Sequence, residues 1–390
     1  MKLHHQVLIV GGGPAGAAAA HTLARHGHDV AVIDKSSFPR DKLCGGLLTL
    51  RAGKIYQRIF PRPWDEVISH VSRGVKFLHR GERLNEVLGA HPLCFTRRLD
   101  FDRFLLDQAV ASGAATYLGD AVVGVDPVAK VCRLRSGREI GYDTLIGADG
   151  VNSLVAKALF GQAFDRRKVA FALEMEVERA AWPEPMAVPE IHFGVARWGY
   201  AWVFPKRDTL TVGVGGLHAR NPDLKAGFSA FLRQRFGAPP PGRIKGHHLP
   251  FGDYRKIPGR GDILLCGDAA GLVEPITGEG IAFAMQSGLY AAEAIIEAGG
   301  RPALPGYRAR YREISRDFDH ANRLRRLLFP GPCERLFLKA LPRSETLPLK
   351  HLELMAAEIA YGDYTRHLLG RLAKRVGDTL LFRSPAGGGK

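Results

Sequence analysis

Hydrophobic residues near the start of the chain occur in short runs that a glycine- and alanine-rich segment separates. The segment QVLIV at residues 6–10 ends in an apolar run typical of a buried parallel strand. GGGPAG and an alanine-rich stretch follow, and DVAVID at residues 29–34 is a second apolar segment. This pattern predicts a strand, a glycine turn, a helix and a second parallel strand, with Gly27 as the cap that ends the helix.

The glycines of this unit follow a dinucleotide-binding pattern. Gly11, Gly13 and Gly16 match G-x-G-x-x-G, which permits a tight turn, close approach to a pyrophosphate and close helix packing. Pro14 suits the first helical turn, whose N–H groups can bind phosphate. Asp34 ends the second strand 18 residues after Gly16, near the distance at which a carboxylate binds an adenosine ribose. We therefore predict a dinucleotide site here.

Two later strands also end in a carboxylate and a glycine turn, in GADG at residues 147–150 and CGDAAG at residues 266–271. Ligands of α/β sheets bind at such strand ends, and a carboxylate can accept hydrogen bonds from sugar or ribityl hydroxyls. Each motif alone is explained equally well as a turn with a helix cap. A glycine-rich helix start follows the second motif, and its dipole would stabilise negative charge on a reduced ring. The candidate residues are Asp149, Gly150, Gly267, Asp268, Gly278, Gly280 and Ile281.

Residues 190–216 have the pattern of three short antiparallel strands, separated by VARWG and KRD. Tyr200, Trp202 and Phe204 share one face of the middle strand because strand side chains alternate. Such an aromatic face is equally consistent with one side of an apolar cavity and with an ordinary sheet core.

A basic helix is predicted from about residue 307. It has an apolar stripe of Tyr307, Tyr311, Ile314, Phe318 and Ala321, with arginines off the stripe. The net charge is +16, and residues 301–326 contain eight basic and three acidic residues. We expect contact with an anionic membrane surface in preference to solvated helix faces, and no nucleic-acid partner, because no binding module is recognisable. YTRHLLGRLAKRV repeats the basic pattern, and the terminal SPAGGGK is expected to be disordered.

The bulk composition narrows the class of protein. The chain has 390 residues, five scattered cysteines and no CxxC pair, which argues against a zinc or cysteine-ligated iron–sulfur site; we expect no metal. No apolar run is long enough for a membrane span, and the N-terminus does not resemble a signal peptide. We expect a cytoplasmic protein that can associate peripherally with the inner face of the membrane. The sequence does not predict the oligomeric state.

Taken together, these motifs resemble the FAD-dependent oxidoreductases of the para-hydroxybenzoate-hydroxylase type. The matching pieces are the glycine pattern with Asp34, FTRRLDFDRFLLDQA, GADG and CGDAAG, spread over residues 6–290. The resemblance implies that Arg98, rather than Arg97, contacts FAD and that Asp268 binds its ribityl chain. There is no second strand–GxGxxG–helix unit, so NAD(P)H would visit transiently or a protein would donate electrons.

A narrower resemblance is to the geranylgeranyl reductase family. KLCGG, GYAWVFPK and GDAAGLVEPITGEGIAFAMQSG are similar to that family's segments and occur in its order, although Leu43 and Leu47 replace a proline and a small residue. The resemblance implies that Cys44, Gly45 and Gly46 lie near the isoalloxazine, with Tyr200 and Trp202 lining the substrate tunnel. The cofactor-binding set is completed by Ala15, Lys35 and Val122.

The implied activity is the reduction of isolated C=C bonds in an isoprenoid chain of a geranylgeranyl or prenyl lipid or a quinone. An unactivated alkene needs a proton donor in a dry site, and Cys44, Tyr200 or a water could supply it. The alternatives are an aromatic monooxygenase of the same fold, a flavin-dependent halogenase, whose G-W-x-W-x-I-P segment GYAWVFP partly matches, and an electron-transfer protein for quinone. The last class is disfavoured because the chain cannot build the cysteine-ligated cluster of its relatives.

The expected fold combines α/β structure with an antiparallel sheet. A Rossmann-type FAD-binding domain is formed by residues 1–70, 95–160 and 255–300. A mostly β substrate domain, formed by residues 71–94 and 161–254, is inserted into it. A helical C-terminal region covers residues 301–390.

Overall fold

A computed structural model describes residues 3–182, 186, 188–344 and 346–370 of the chain. The strands are β1 Leu3–Val10, β2 Val30–Asp34, β3 Leu47–Leu48, β4 Ile68–His79, β5 Glu82–Thr96, β6 Ala115–Leu118, β7 Val122–Asp126, β8 Val131–Leu134, β9 Glu139–Gly147, β10 Ala170–Glu178, β11 Glu190–Phe193, β12 Gly199–Pro205, β13 Thr209–Leu217, β14 Lys245–Leu249, β15 Gly259–Arg260 and β16 Ile263–Leu265. The helices are α1 Pro14–Arg25, α2 Leu50–Ile59, α3 Arg98–Ala111, α4 Leu154–Phe160, α5 Leu224–Phe236, α6 Ile281–Ala298, α7 Leu304–Leu328, α8 Gly331–Ala340 and α9 Thr346–Met355, and residues 361–370 are also helical.

The first sheet has the parallel core that the N-terminal pattern predicts. Its strand order is β15-β16-β9-β1-β2-β6, with β7 and β8 joined to β9. β1 pairs in parallel with β2 and β9, and β16 pairs in parallel with β9. The carboxyl ends of β1, β9 and β16 therefore meet at one edge, the usual ligand edge of such a sheet.

The second sheet is almost wholly antiparallel, in the order β14-β10-β13-β12-β11-β4-β5-β3. It contains the predicted strands β11, β12 and β13, with β12 between the other two. A mixed fold of the predicted class is therefore confirmed. The limits of the predicted domains are not tested by this arrangement and stay a prediction.

The C-terminal helices cover the junction of the two sheets. α7 begins at Leu304, three residues before the predicted start, and Pro305 occupies its first turn, where a missing N–H costs little. The five predicted stripe residues of α7 are buried. α9 is held to α2 by the Arg51 side chain, whose Nη2 donates to the Leu354 carbonyl at 2.7 Å. The terminal SPAGGGK and residues 371–376 of the second basic segment lie outside the described residues.

Candidate active site

The N-terminus of α1 forms a cradle that fits a pyrophosphate. Gly13 is the N-cap residue, and within the described chain no side chain caps this helix end, so its first N–H groups are free to bind an anion. A Cβ on Gly16 would lie 1.8 Å from the Gly11 carbonyl oxygen, which shows that α1 can pack here only with glycine. A Cβ on Gly13 would meet only the Arg40 guanidinium at 3.4 Å. Gly13 therefore leaves space for a ligand rather than for protein.

Asp34 lies beside this cradle at the end of β2. Its Oδ2 accepts the Gly12 N–H at 2.8 Å and its Oδ1 accepts the Ser36 N–H at 2.9 Å. The Arg40 Nε lies 3.8 Å from Oδ2. The carboxylate is thus held in place beside the cradle, while Lys35 next to it is exposed to solvent. The binding of a ribose by Asp34 stays a prediction.

The second predicted carboxylate, Asp149, accepts hydrogen bonds from the protein itself, and its contact with a cofactor stays a prediction. Its Oδ2 accepts the N–H groups of Leu154 and Val155 at 2.7 and 3.2 Å, and the Ser153 hydroxyl donates to its Oδ1 at 2.5 Å. Burial raises the pKa of Asp149, although these hydrogen bonds oppose the shift. The carboxylate therefore caps the start of α4, which is the alternative that the sequence left open. Gly150 provides the turn, at a φ of +81°.

The third carboxylate, Asp268, faces the ligand edge. Its Oδ2 lies 3.4 Å from the Lys42 Nζ. α6 begins at Ile281 just beyond it, and no described side chain caps that helix end either. Gly278 has a φ of +75°, a left-handed conformation that favours glycine. Asp268 and the free N–H groups of α6 therefore present an acceptor and donors to one ligand.

Arg98 rather than Arg97 lines the cavity at this edge, as expected. The Arg98 guanidinium makes two hydrogen bonds to the Asp102 carboxylate, at 2.6 and 2.7 Å. Burial opposes its charge, but Asp102 and the Cys44 sulfur raise the pKa of Arg98, so it stays protonated. Arg97 instead pairs with Asp100 near the surface. Arg98 is thus a buried, fixed cation beside Cys44.

The segment Cys44–Gly46 crosses the cavity next to Arg98. A Cβ on Gly46 would lie 2.0 Å from the Thr96 carbonyl oxygen, and one on Gly45 would lie 2.9 Å from the Phe204 ring. Contacts within the protein therefore require glycine at both positions, while their expected place near the isoalloxazine stays a prediction. The Cys44 sulfur accepts the Gly46 N–H at 3.4 Å.

The aromatic face of β12 lines a cavity of about 290 Å³. Tyr200, Trp202 and Phe204 all face it, so the cavity interpretation of this strand is correct. Trp202 lies against Gly213 of β13, where a Cβ would come within 2.2 Å of the indole. Its buried Nε1 has no hydrogen-bond partner among the described residues, as expected for a donor that faces a ligand.

Tyr200 is fixed by its hydroxyl, which donates to the Thr277 carbonyl. Burial raises the pKa of Tyr200 well above its ordinary value, with help from the nearby Glu274. Its proton is thus both engaged and hard to remove. The structure therefore favours Cys44 over Tyr200 as the side chain that could donate a proton.

We call the cavity beside Cys44 and β12 the apolar cavity. It extends from the ligand edge of the first sheet to the C-terminal helices, which the sequence did not assign to the site. Leu47 lines it, whereas the neighbouring Leu48 is buried in the hydrophobic core of the first sheet. The C-terminal lining residues include Leu328, Phe337, Leu341, Leu347, His351, Leu352 and Tyr364.

Several residues of the site were not found from the sequence. Glu174 on β10 accepts the Cys44 N–H at 3.1 Å. Its strand, AFALEMEVE, alternates apolar and polar residues, and such polar positions normally face water. Two of the predicted cofactor-binding residues, Ala15 and Val122, pack in or against the hydrophobic core of the first sheet. Their contact with a cofactor stays a prediction.

The uncapped helix starts, the carboxylates and the free indole N–H described above are groups that could bind FAD. The uncapped starts of α1 and α6, the Asp268 carboxylate and the Trp202 Nε1, which has no partner among the described residues, all border one cavity. The Asp34 carboxylate lies next to the start of α1, where it accepts the Gly12 N–H. Within the described part of the chain there is no group of three or more His, Cys, Asp or Glu side chains able to hold a metal. The donors therefore suit an organic dinucleotide.

Comparison with known proteins bears on this site. The FAD binding domain family matches residues 4–201. A menaquinone reductase of Mycolicibacterium smegmatis is 31% identical over 325 residues, which cover 77% of this chain and 78% of that protein. The chain belongs to the geranylgeranyl reductase family of FAD-dependent oxidoreductases. The chloroplastic geranylgeranyl diphosphate reductase of Nicotiana tabacum is 31% identical over 318 residues, covering 75% of this chain and 66% of that one.

Solved structures show the same fold. A geranylgeranyl bacteriochlorophyll reductase-like protein of Thermoplasma acidophilum has a TM-score of 0.75 at 21% identity, covering 95% of this chain and 100% of that one. The flavin-dependent brominase Bmp2 has a TM-score of 0.71 at 22% identity, with the same coverage. These likenesses show the fold alone, which a reductase-like protein and a halogenase share.

Proposed function

We propose that this chain reduces C=C bonds of an isoprenoid chain, carried by a geranylgeranyl or prenyl lipid or by a quinone. The observation that carries this proposal is the apolar cavity, which begins at the FAD cradle and continues past Tyr200 and Trp202 to leucines of the C-terminal helices. An elongated hydrocarbon chain fits such a lining better than a compact polar aromatic does. The names of the menaquinone and geranylgeranyl diphosphate reductases support the same substrate class.

The residues of the cavity have separate roles in this proposal. Reduced FAD supplies the hydride. Trp202 and Phe204 exclude water from the alkene and orient it, while Cys44 donates the balancing proton to the other alkene carbon. Arg98 then stabilises the resulting thiolate through its fixed positive charge. The reductant that reloads the cofactor is a transient NAD(P)H or a protein electron donor.

We also propose that the substrate enters from an anionic membrane surface. α8 contributes Phe337 and Leu338 to the apolar cavity and exposes Leu336, which is 56% accessible, between the exposed Arg335 and Lys339. The exposed arginines of α7 add positive charge beside it. None of the described helices is both long and apolar enough to cross a bilayer. Such a helix can bind the membrane interface through charge and a few apolar side chains.

Pelleting with anionic vesicles tests the membrane proposal. We expect binding at low salt that weakens as ionic strength rises, because exposed charges are screened. Arg335→Glu combined with Lys339→Glu should abolish the binding, and Arg138→Glu on the far β8–β9 turn is the matched surface control. Binding that is absent, or that does not respond to salt, would contradict the proposal.

Product analysis tests the reductase function. The FAD-loaded protein is reduced chemically without oxygen, mixed with geranylgeranyl diphosphate or a prenyl quinone, and analysed by mass spectrometry. A gain of two hydrogens for each reduced bond supports the proposal. The aromatic monooxygenase and halogenase alternatives instead predict oxygen uptake with an aromatic compound, and halide incorporation in the second case, with no reduced prenyl product.

A further inference from the structure

One face of the second sheet changes from apolar to charged along its strands. On β10, Ala170 and Ala172 line the apolar cavity, whereas Glu174 and Glu176 on the same strand face line a second cavity of about 170 Å³. We call this second space the polar cavity. The residues that line both cavities are Lys42, Cys44 and Arg98.

The basic residues of the polar cavity have carboxylate partners. Lys206 Nζ, for example, lies 3.1 Å from the Glu176 Oε1 although Lys206 is almost fully buried. An additional anion would therefore have to compete with existing ion pairs. The other pairs are Arg97 with Asp100, Arg98 with Asp102, Lys42 with Asp268 and Lys245 with Asp41.

Glu174 is different from these paired groups. It is 6% exposed, and its Oε1 accepts the Cys44 N–H. Its Oε2 has no hydrogen-bond partner among the residues that the structure describes. A buried carboxylate with an unpaired oxygen is costly when charged, so protonation or water from the cavity must satisfy it.

The surroundings of Glu174 place its titration near neutrality. Burial raises the pKa of Glu174 to about 7; Glu176 adds to the increase, and Lys206 and Lys245 oppose it. The carboxyl group can therefore bind and release a proton at ordinary pH. The titratable and charged groups around it are Glu176 on β10, Lys206 after β12, Lys245 on β14, Arg97 and Arg98 at the start of α3, and Asp41, Lys42 and Cys44.

We propose that Glu174 relays protons from water in the polar cavity to Cys44, and so supplies the proton consumed in each alkene reduction. This inference rests on the proposed function. When a hydride adds to one alkene carbon, the Cys44 S–H bond breaks and a C–H bond forms at the other carbon. The thiolate then takes the proton of the Glu174 carboxyl group, and the Glu174 carboxylate takes up a proton from bulk solvent, which water in the polar cavity conducts to it without net loss of its own proton. Glu174 touches neither reacting carbon and acts through Cys44.

Glu174→Gln tests the relay, because the amide oxygen can still accept the Cys44 N–H but the side chain cannot carry a proton. We expect multiple-turnover alkene reduction to fall by about 10- to 100-fold and its pH profile to lose the inflection near pH 7. Chemical reduction of bound FAD and the FAD dissociation constant should be unchanged. Glu178→Gln, at an exposed position of the same strand, should behave as the wild type.

A spectroscopic measurement is independent of turnover. Infrared difference spectra between about pH 5 and about pH 9 should show a protonated carboxyl C=O band in the wild type that Glu174→Gln lacks. A wild-type rate and pH profile in Glu174→Gln, or a band unaffected by it, would overturn the relay alone. If the wild type itself reduces no prenyl compound, the proposed function fails, and the relay fails with it. If Glu174→Gln does not fold, Glu174→Asp with an unshifted band and pH profile would equally overturn it.

Discussion

At the scale of single residues, the segment Cys44–Gly46 shows that a motif can predict where a segment lies but not which contacts require its glycines. The sequence predicts that this segment lies next to the cofactor, and in the structure it lines the same cavity as the start of α1 and the aromatic residues of β12. The contacts that require its glycines, with the Thr96 carbonyl and the Phe204 ring, come from residues about 50 and 160 positions away. Such long-range contacts leave no local sequence pattern, so the steric reason for these two glycines could not be predicted from the sequence.

Gly46→Ala is predicted to destabilise the protein by about 2–5 kcal/mol, because the new methyl group meets the Thr96 carbonyl and the residue has a φ of +75°. Gly27→Ala is the matched control, since Gly27 has a φ of +79° but no atom within 4 Å of the added carbon among the described residues. It should cost only about 1 kcal/mol. Urea unfolding measures both, and equal losses would show that the Thr96 contact is unimportant.

Tyr200→Phe is predicted to retain alkene reduction. The Tyr200 hydroxyl already donates to the Thr277 carbonyl, and burial raises its pKa, so it is a poor proton donor. Loss of this hydrogen bond should cost about 1 kcal/mol of stability and less than about tenfold in turnover. Cys44→Ser should lower turnover much further. A loss for Tyr200→Phe as large as that for Cys44→Ser, measured as single-turnover product, would identify Tyr200 as the donor.

At the scale of elements, the strand–turn–helix unit at the N-terminus was predictable because its signals are local. The steric requirement at Gly16, for example, comes from the Gly11 carbonyl oxygen, five residues earlier in the chain. The opposite holds for Glu174 on β10, which is buried and accepts the N–H of Cys44, a residue 130 positions earlier in the chain. The motif around Asp149 was only partly informative, because its sequence fits both a ligand-binding carboxylate and a helix cap. The hydrogen bonds that show the helix cap are visible only in the structure.

Gly13→Ala and Gly16→Ala separate cofactor binding from folding. Gly13 has an ordinary φ of −75° and room for a methyl group, so Gly13→Ala should leave the stability of the apoprotein near that of the wild type. Its FAD dissociation constant should rise about tenfold or more, because the methyl group occupies the pyrophosphate position. Gly16→Ala should instead prevent stable folding. Fluorescence titration with FAD and thermal melts of the apoprotein check this, and unchanged FAD binding in Gly13→Ala would contradict it.

At the scale of the whole molecule, the sequence predicted the two-sheet class and the FAD-binding half well. It did not predict that the C-terminal helices line the apolar cavity. The buried stripe of α7 was predicted, yet a stripe does not identify the surface that it packs against. Leu341, Leu347 and Leu352 belong to short helices whose packing partners are far away in the chain, and only the assembled fold brings them to the site.

The stability of the fold around this cavity should depend on pH. Burial lowers the pKa of His351 on α9 to about 4, and of His247 on β14 also to about 4. The unfolded chain binds protons at these histidines below about pH 6.5, so their contribution to stability is present above that pH and is lost as pH falls towards 4. Thermal melts of wild type and His351→Leu should therefore diverge in favour of the variant between about pH 7 and about pH 5. A difference in melting temperature that does not change with pH would contradict this.

The most direct test of the central claim is a single turnover without oxygen. The chain is loaded with FAD, reduced chemically and freed of excess reductant, and a geranylgeranyl compound or prenyl quinone is then added. We predict that the absorbance of oxidised FAD returns in proportion to a prenyl product two hydrogens heavier, and that Cys44→Ser slows both together. Persistent reduced FAD with every prenyl compound, combined with fast reoxidation by oxygen in the presence of an aromatic compound, would contradict the reductase function.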